Sequence, residues 1–84
     1  MTALEWLAEE LMVTPEEAAL RLAKLLSQLP EKERDIFSFR LGLDDGELRT
    51  LEETSVAFKV TRERVRQTEM KSLARLRHPK FMTD

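Results

Sequence analysis

Four side chains in the last third of the chain have types and spacing suited to one kind of chemistry. Arg62, Glu63, Arg66 and Gln67 are separated by one, three and four positions, which on a helix collects them on one outward face. Each matches a base edge in the major groove of DNA: Arg offers two donors to guanine, Gln pairs with adenine, and Glu accepts from cytosine. The same spacing also suits solvent-facing i,i+3 and i,i+4 pairs, so type and spacing alone leave both readings open. Other chemistries are poorly supplied. The chain has no cysteine and a single histidine, His78, so neither a thiolate metal site nor a nucleophile–base pair is in view. Gly42 and Gly46 flank a turn and form no phosphate-cradling loop. No catalytic residue, metal or cofactor is expected.

The elements that must position this face are all helical, and no strand-like alternation interrupts them. Thr61 caps the final helix, which runs to about Arg77 and stops before Pro79. Ahead of it, Thr50 with Glu53 forms a capping box for a short helix whose inward stripe is Leu51, Thr54, Ser55 and Phe58. Two helices joined by so short a turn make a helix-turn-helix, and the first turns of its second helix are the part that reaches bases. On that helix Val65, Thr68, Ser72 and Leu76 share the inward side. Upstream, Thr2 with Glu5 opens a first helix bearing Leu4, Leu7, Ala8 and Leu11. Thr14-Pro15-Glu16-Glu17 opens a second, with Ala18, Leu22, Leu25, Leu26 and Leu29 on one face. Pro30 starts a third, with bulk from Ile36, Phe37, Phe39 and Leu41. Gly42-Leu43-Asp44-Asp45-Gly46 is a turn-rich loop. The expected fold is all-α, about five helices ending in a helix-turn-helix of the tri-helical class without a wing.

Charge is distributed unevenly along these elements. The 84 residues carry a net charge of −2, but residues 1–29 hold five acids against two bases and residues 30–60 eight acids against five. Residues 61–84 reverse this, with seven bases against three acids. A basic end on an acidic body can concentrate its field on a phosphate backbone, and it can equally be a solvated helix face. No apolar run approaches the ~18 residues of a membrane span, and the start lacks the order of a signal peptide. A soluble, cytoplasmic protein without a membrane partner is expected.

Taken together, several runs resemble region 4 of the sigma-70 family of bacterial RNA polymerase sigma factors. They are Thr50-Leu51-Glu52-Glu53, Phe58, Val60-Thr61-Arg62-Glu63-Arg64-Val65-Arg66-Gln67, Glu69, Lys71, Leu73 and Leu76-Arg77-His78-Pro79. Leu29, Glu33, Arg40, Gly42-Leu43-Asp44-Asp45-Gly46 and Arg49 match the preceding part, so the likeness covers about residues 20–79. The resemblance implies docking on the flap of the RNA polymerase β subunit and reading of the upstream, minus-thirty-five promoter element in double-stranded DNA. Carried over by position, Arg62, Glu63, Arg66 and Gln67 contact bases. Thr50, Leu51, Glu53, Arg64, Lys71, Arg75 and Arg77 contact phosphates, the first three at a helix N-terminus. Leu22, Leu25, Leu26, Ile36, Phe37 and Arg40 would bind the flap, although plain core is the commoner role for a Leu or Phe. The organisation expected is one domain over 1–84: an extra N-terminal helix at 1–13, flap-binding helices at 14–49, and the helix-turn-helix at 50–79.

Departures from the family pattern fall on the inner face of the motif. Thr54 and Ser55 replace Val-Gly, Thr68 replaces Ile or Val, Val56 takes a polar outward position, and Lys59 stands where the turn usually has Asn, Asp or Gly. Each thins the core, at about 1 kcal/mol per lost apolar contact. Relatives also continue beyond the position of Asp84. Met1, the first helix with its exposed-looking Trp6, and that early stop point to a free-standing regulator over a fragment. The Trp6 face suits either a partner surface or local packing. The resemblance adds transcription activators as contacts of the Lys71, Arg75 and Arg77 segment, and a rival expectation is a protein–protein adaptor that occupies the flap, or an anti-sigma partner, without reading DNA.

Overall fold

Four threonines and one proline decide where the helices start. Thr2, Thr14, Thr50 and Thr61 sit in extended backbone and accept the amide three residues on at 3.0–3.1 Å. At Thr2 and Thr50 the partner glutamate reaches back to the cap amide, at 3.1 and 2.9 Å, completing both capping boxes. The computed structural model describes residues 2–83; Met1 and Asp84 lie outside the described residues. The helices are α1 (Ala3–Leu11), α2 (Pro15–Gln28), α3 (Glu31–Leu41), α4 (Leu51–Phe58) and α5 (Arg62–Arg77), with no strand among the described residues. This is a small all-α domain ending in a helix-turn-helix.

The helix ends are equally specific. Met12, Gly42 and Lys59 close α1, α3 and α4 in the left-handed region, with φ of 58°, 65° and 56°. At Gly42 the choice is forced, because a Cβ would lie 1.9 Å from the Glu47 carbonyl oxygen. Lys59 adopts the conformation for which glycine or asparagine is the ordinary choice, at a cost of roughly 1 kcal/mol.

The core gathers Leu7, Leu25, Phe37, Leu41 and Leu76, all at most 1% exposed. Leu11, Leu22 and Leu73 extend it, so α1 and α2 pack over the C-terminal half of α5. The Arg21 guanidinium adds a bond from α2 to the Leu76 carbonyl at 2.7 Å. At the other end α3 supports α4, with Phe39 and Phe58 edge to face, ring centroids 5.4 Å apart. Two alternatives left open by the sequence fall on the side of packing. Leu22, Leu25, Ile36 and Phe37, weighed between flap contact and core, are buried core residues. Trp6, exposed-looking and weighed between a partner surface and local packing, is half-buried and packs against the core. The cause lies in the packing of whole helices: α1 lies across the apolar stripe of α2, and α3 turns its apolar side to α4 and α5.

The inner face of the motif is as polar as its composition suggests. Thr54, Ser55, Thr68 and Ser72 are all buried. Thr54 donates to the Thr50 carbonyl at 2.9 Å and Ser55 to the Glu52 carbonyl at 2.8 Å, so these hydroxyls are satisfied within their own helix. Thr68 Oγ1 has no partner among the described residues. Thr68→Val keeps the shape and removes the orphaned hydroxyl, and should stabilise the fold by about 1 kcal/mol, measured by urea denaturation.

Candidate nucleic-acid interface

The connection of α4 to α5 spans only Lys59, Val60 and Thr61, and the starts of both helices lie on one side of the domain. They meet in an open cleft of about 830 Å³ lined by Thr50, Leu51 and Glu52 from α4 and by Thr61, Arg62, Glu63 and Arg66 from α5, with Arg40 of α3 beside them. Two helix N-termini facing one cleft present the positive ends of two helix dipoles. The capping box uses the amides of Thr50 and Glu53. That leaves the amides of Leu51 and Glu52, which no intrahelical carbonyl can satisfy, as donors for an anion.

Arg62, Glu63, Arg66 and Gln67 are all exposed on the first turns of α5. Neighbouring acids hold them. Arg62 Nε lies 3.3 Å from Glu52 Oε2. Arg66 engages Glu63 through two bonds, Nε donating to Oε1 at 2.8 Å and a terminal nitrogen donating to Oε2. Gln67 Nε2 donates to the same Glu63 Oε2 at 3.4 Å, and Arg66 also reaches the Met70 sulfur at 2.6 Å. Exposed pairs of this kind are worth about 0–1 kcal/mol, so a base edge can replace the acid at little cost. The Arg66 hydrogen bond holds the Glu63 carboxyl below its ordinary value, and Glu63 in turn raises Arg66. Glu63 is therefore an ionised, acceptor-only group at neutral pH, as a cytosine contact requires.

The phosphate candidates divide. Thr50 and Glu53 are exposed at the start of α4 and Leu51 is half-buried; Lys71 is exposed. Arg64 lies 4.0 Å from Glu33 of α3. Arg75 donates to Gln28 of α2, and Arg77 to the Glu10 carbonyl and carboxylate of α1, at 3.2 and 3.1 Å. Arg40, a flap candidate from sequence, bonds Glu69 Oε1 at 2.9 Å and the Arg49 carbonyl, and lines the cleft. No local pattern signals this contact, since Glu69 is 29 positions away. Arg49 is itself fixed over the Phe39 ring, 4.2 Å from its centroid, and paired with Asp45. A second, apolar groove of about 520 Å³ runs along α2; of the flap candidates, Leu22 and Leu26 line it, with Leu4 and Leu43.

Among the described residues no cluster of His, Asp or Glu could hold a metal ion, and no helix is long and apolar enough to cross a membrane. The carboxyls of Glu5, Asp45, Glu53 and Glu63 all lie below their ordinary values. For Glu5 and Glu53 the main cause is the cap amide, of Thr2 and Thr50 respectively; for Asp45 and Glu63 it is the arginine each binds, Arg49 and Arg66. A carboxyl with a lowered folded-state pKa contributes stability above its unfolded value and loses it as pH falls through the folded one. Melting followed by circular dichroism should therefore show a Tm that is flat well above the ordinary glutamate value of 4.5 and falls as the pH drops below it.

The profile of the family described as Sigma-70, region 4 matches residues 25–78. Among curated proteins, the RNA polymerase sigma factor SigA of Nostoc sp. is 55% identical over 58 residues, covering 69% of this chain and 15% of that protein. SigA of a Bacillus species is 43% identical over 81 residues, covering 89% of this chain and 22% of its own length. SigA of Clostridium acetobutylicum is 52% identical over 59 residues, 70% of this chain and 16% of that protein. The chain thus spans less than a quarter of the length of these relatives.

Proposed function

The chain belongs to the sigma-70 region 4 family, and we propose that it reads promoter DNA during transcription initiation, in company with RNA polymerase. One observation carries the reading: four side chains able to match base edges stand exposed on the first turns of α5, beside a cleft where two helix N-termini meet. In this arrangement α5 enters the major groove at a minus-thirty-five-type element, with Arg62, Glu63, Arg66 and Gln67 toward the bases. The start of α4, with Thr50, Leu51 and Glu53, lies against one phosphate strand. Lys71 and Arg64 follow the other, and Arg75 and Arg77 join them by exchanging their partners on α2 and α1. The flap of the polymerase β subunit takes the apolar groove along α2, which half-buried Leu26 lines. The chemistry is binding alone, without cofactor or catalysis.

The second reading, an adaptor that occupies the flap or an anti-sigma partner without reading DNA, draws support from Glu52 and Glu63, which already satisfy Arg62 and Arg66. Capture on the isolated β flap without a footprint on promoter DNA would favour it.

Two substitutions test the DNA reading. Arg66→Ala should cost about 1–3 kcal/mol of binding and relax preference at one base pair, whereas Lys71→Ala should weaken all sequences alike and reduce the salt slope by about one. Fluorescence titrations against a panel of single-base variants at several salt concentrations measure both. Equal weakening of every sequence by Arg66→Ala would reduce Arg66 to a phosphate contact.

A further inference from the structure

Helix α1 lies outside the family-matched residues 25–78, yet it reaches the motif that bears the candidate reading face. Its indole, Trp6, borders a small cavity of about 60 Å³ together with Arg40, Leu41, Leu48 and Glu69. Arg40 and Glu69 are the ion pair that fastens α3 to the middle of α5, at 2.9 Å and with side chains 22% and 15% exposed. Arg40 also donates to the carbonyl of Arg49, the residue immediately before the Thr50 cap of α4. One guanidinium therefore holds both helices of the motif, and Trp6 walls the cavity onto which it opens. One turn below, Glu10 grips Arg77 and α1 covers Leu73 and Leu76, so the far half of α5 is fixed as well.

We propose that Trp6 is a positioning residue for DNA recognition: by walling the cavity beside Arg40 and Glu69 and packing α1 on the core it sets the angle at which α5 presents its first turns. An ion pair that is mostly buried, as this one is, holds its geometry better than one open to water, where long side chains exchange freely among partners. This inference rests on the DNA-reading function proposed above. It predicts that loosening Trp6 degrades discrimination between sequences while leaving the sequence-independent hold on phosphate intact, since no phosphate candidate is altered.

The experiment compares the full chain with Trp6→Ala, Trp6→Phe and, as a control for plain core damage on the same helix, Leu7→Ala. Affinities are measured for a duplex enriched from a random library by the wild-type chain and for a scrambled duplex of equal length, at a temperature where circular dichroism shows each variant folded. Trp6→Ala should lower the ratio of the two affinities by about tenfold, comparable to losing one base contact, with the salt slope unchanged. Trp6→Phe should restore most of the ratio, and Leu7→Ala should lower Tm without changing it. Amide hydrogen exchange in the absence of DNA gives an independent reading: Trp6→Ala should speed exchange at the start of α4 and in the middle of α5, and leave α2 as it was. An unchanged ratio in folded Trp6→Ala, or an equal loss in Leu7→Ala, overturns the proposal. Should the wild-type chain show no sequence preference, the function proposed above fails, and uniform or unaltered exchange in Trp6→Ala then overturns the positioning role separately.

Discussion

The Arg40 guanidinium sits where three segments of chain meet, and the geometry of the helix-turn-helix depends on it. It receives no help from local sequence: its acid, Glu69, is 29 positions away and its carbonyl acceptor, Arg49, lies beyond a tight loop. That loop must turn back at once, which is why Gly42 tolerates no side chain and why Arg49 is itself held by Asp45 and the Phe39 ring. A half-buried arginine carries a desolvation cost, which several converging acceptors offset better than a single acid. Here the acceptors are the two things that have to be aligned, the entrance of α4 and the middle of α5.

The motif also compensates for a polar interior. Thr54 and Ser55 turn their hydroxyls onto carbonyls of their own helix, so the α4 backbone takes up groups that an apolar core would have rejected. The apolar weight is carried elsewhere, by the cluster of α1, α2 and the C-terminal half of α5. The domain thus has an apolar base and a more polar end, where Ile36 and Val65 supply the apolar burial, and the candidate base-contacting face stands on the polar end.

Local features are legible in the sequence, and features made by distant contacts are not. Threonine caps, capping boxes and the helix limits depend on neighbours three or four positions away, so Thr2, Thr14, Thr50 and Thr61 mark the starts of α1, α2, α4 and α5. The outward placement of Arg62, Glu63, Arg66 and Gln67 follows from the helical period. Periodicity also finds the apolar stripe of α2, but it reports which face is apolar and is silent on what covers it. For that reason the sequence leaves Leu22, Leu25, Ile36 and Phe37 between partner contact and core, and Trp6 between partner surface and local packing, and only the fold shows them packed. The position of Arg40 beside the cleft arises from tertiary contacts alone.

The pairing of Glu63 with Arg66 and Gln67 has a consequence for how such a domain would search a genome. With the acid in place the Arg66 charge is balanced within the face, and that arginine offers little to a random stretch of duplex. Under the proposed DNA reading, a base pair would gain the arginine only by offering acceptors in the right pattern, so wrong sites would be left quickly and the right one distinguished by how long the domain stays. An intramolecular acid of this kind shortens each unproductive stop, and a domain that makes short stops covers more DNA in the same time.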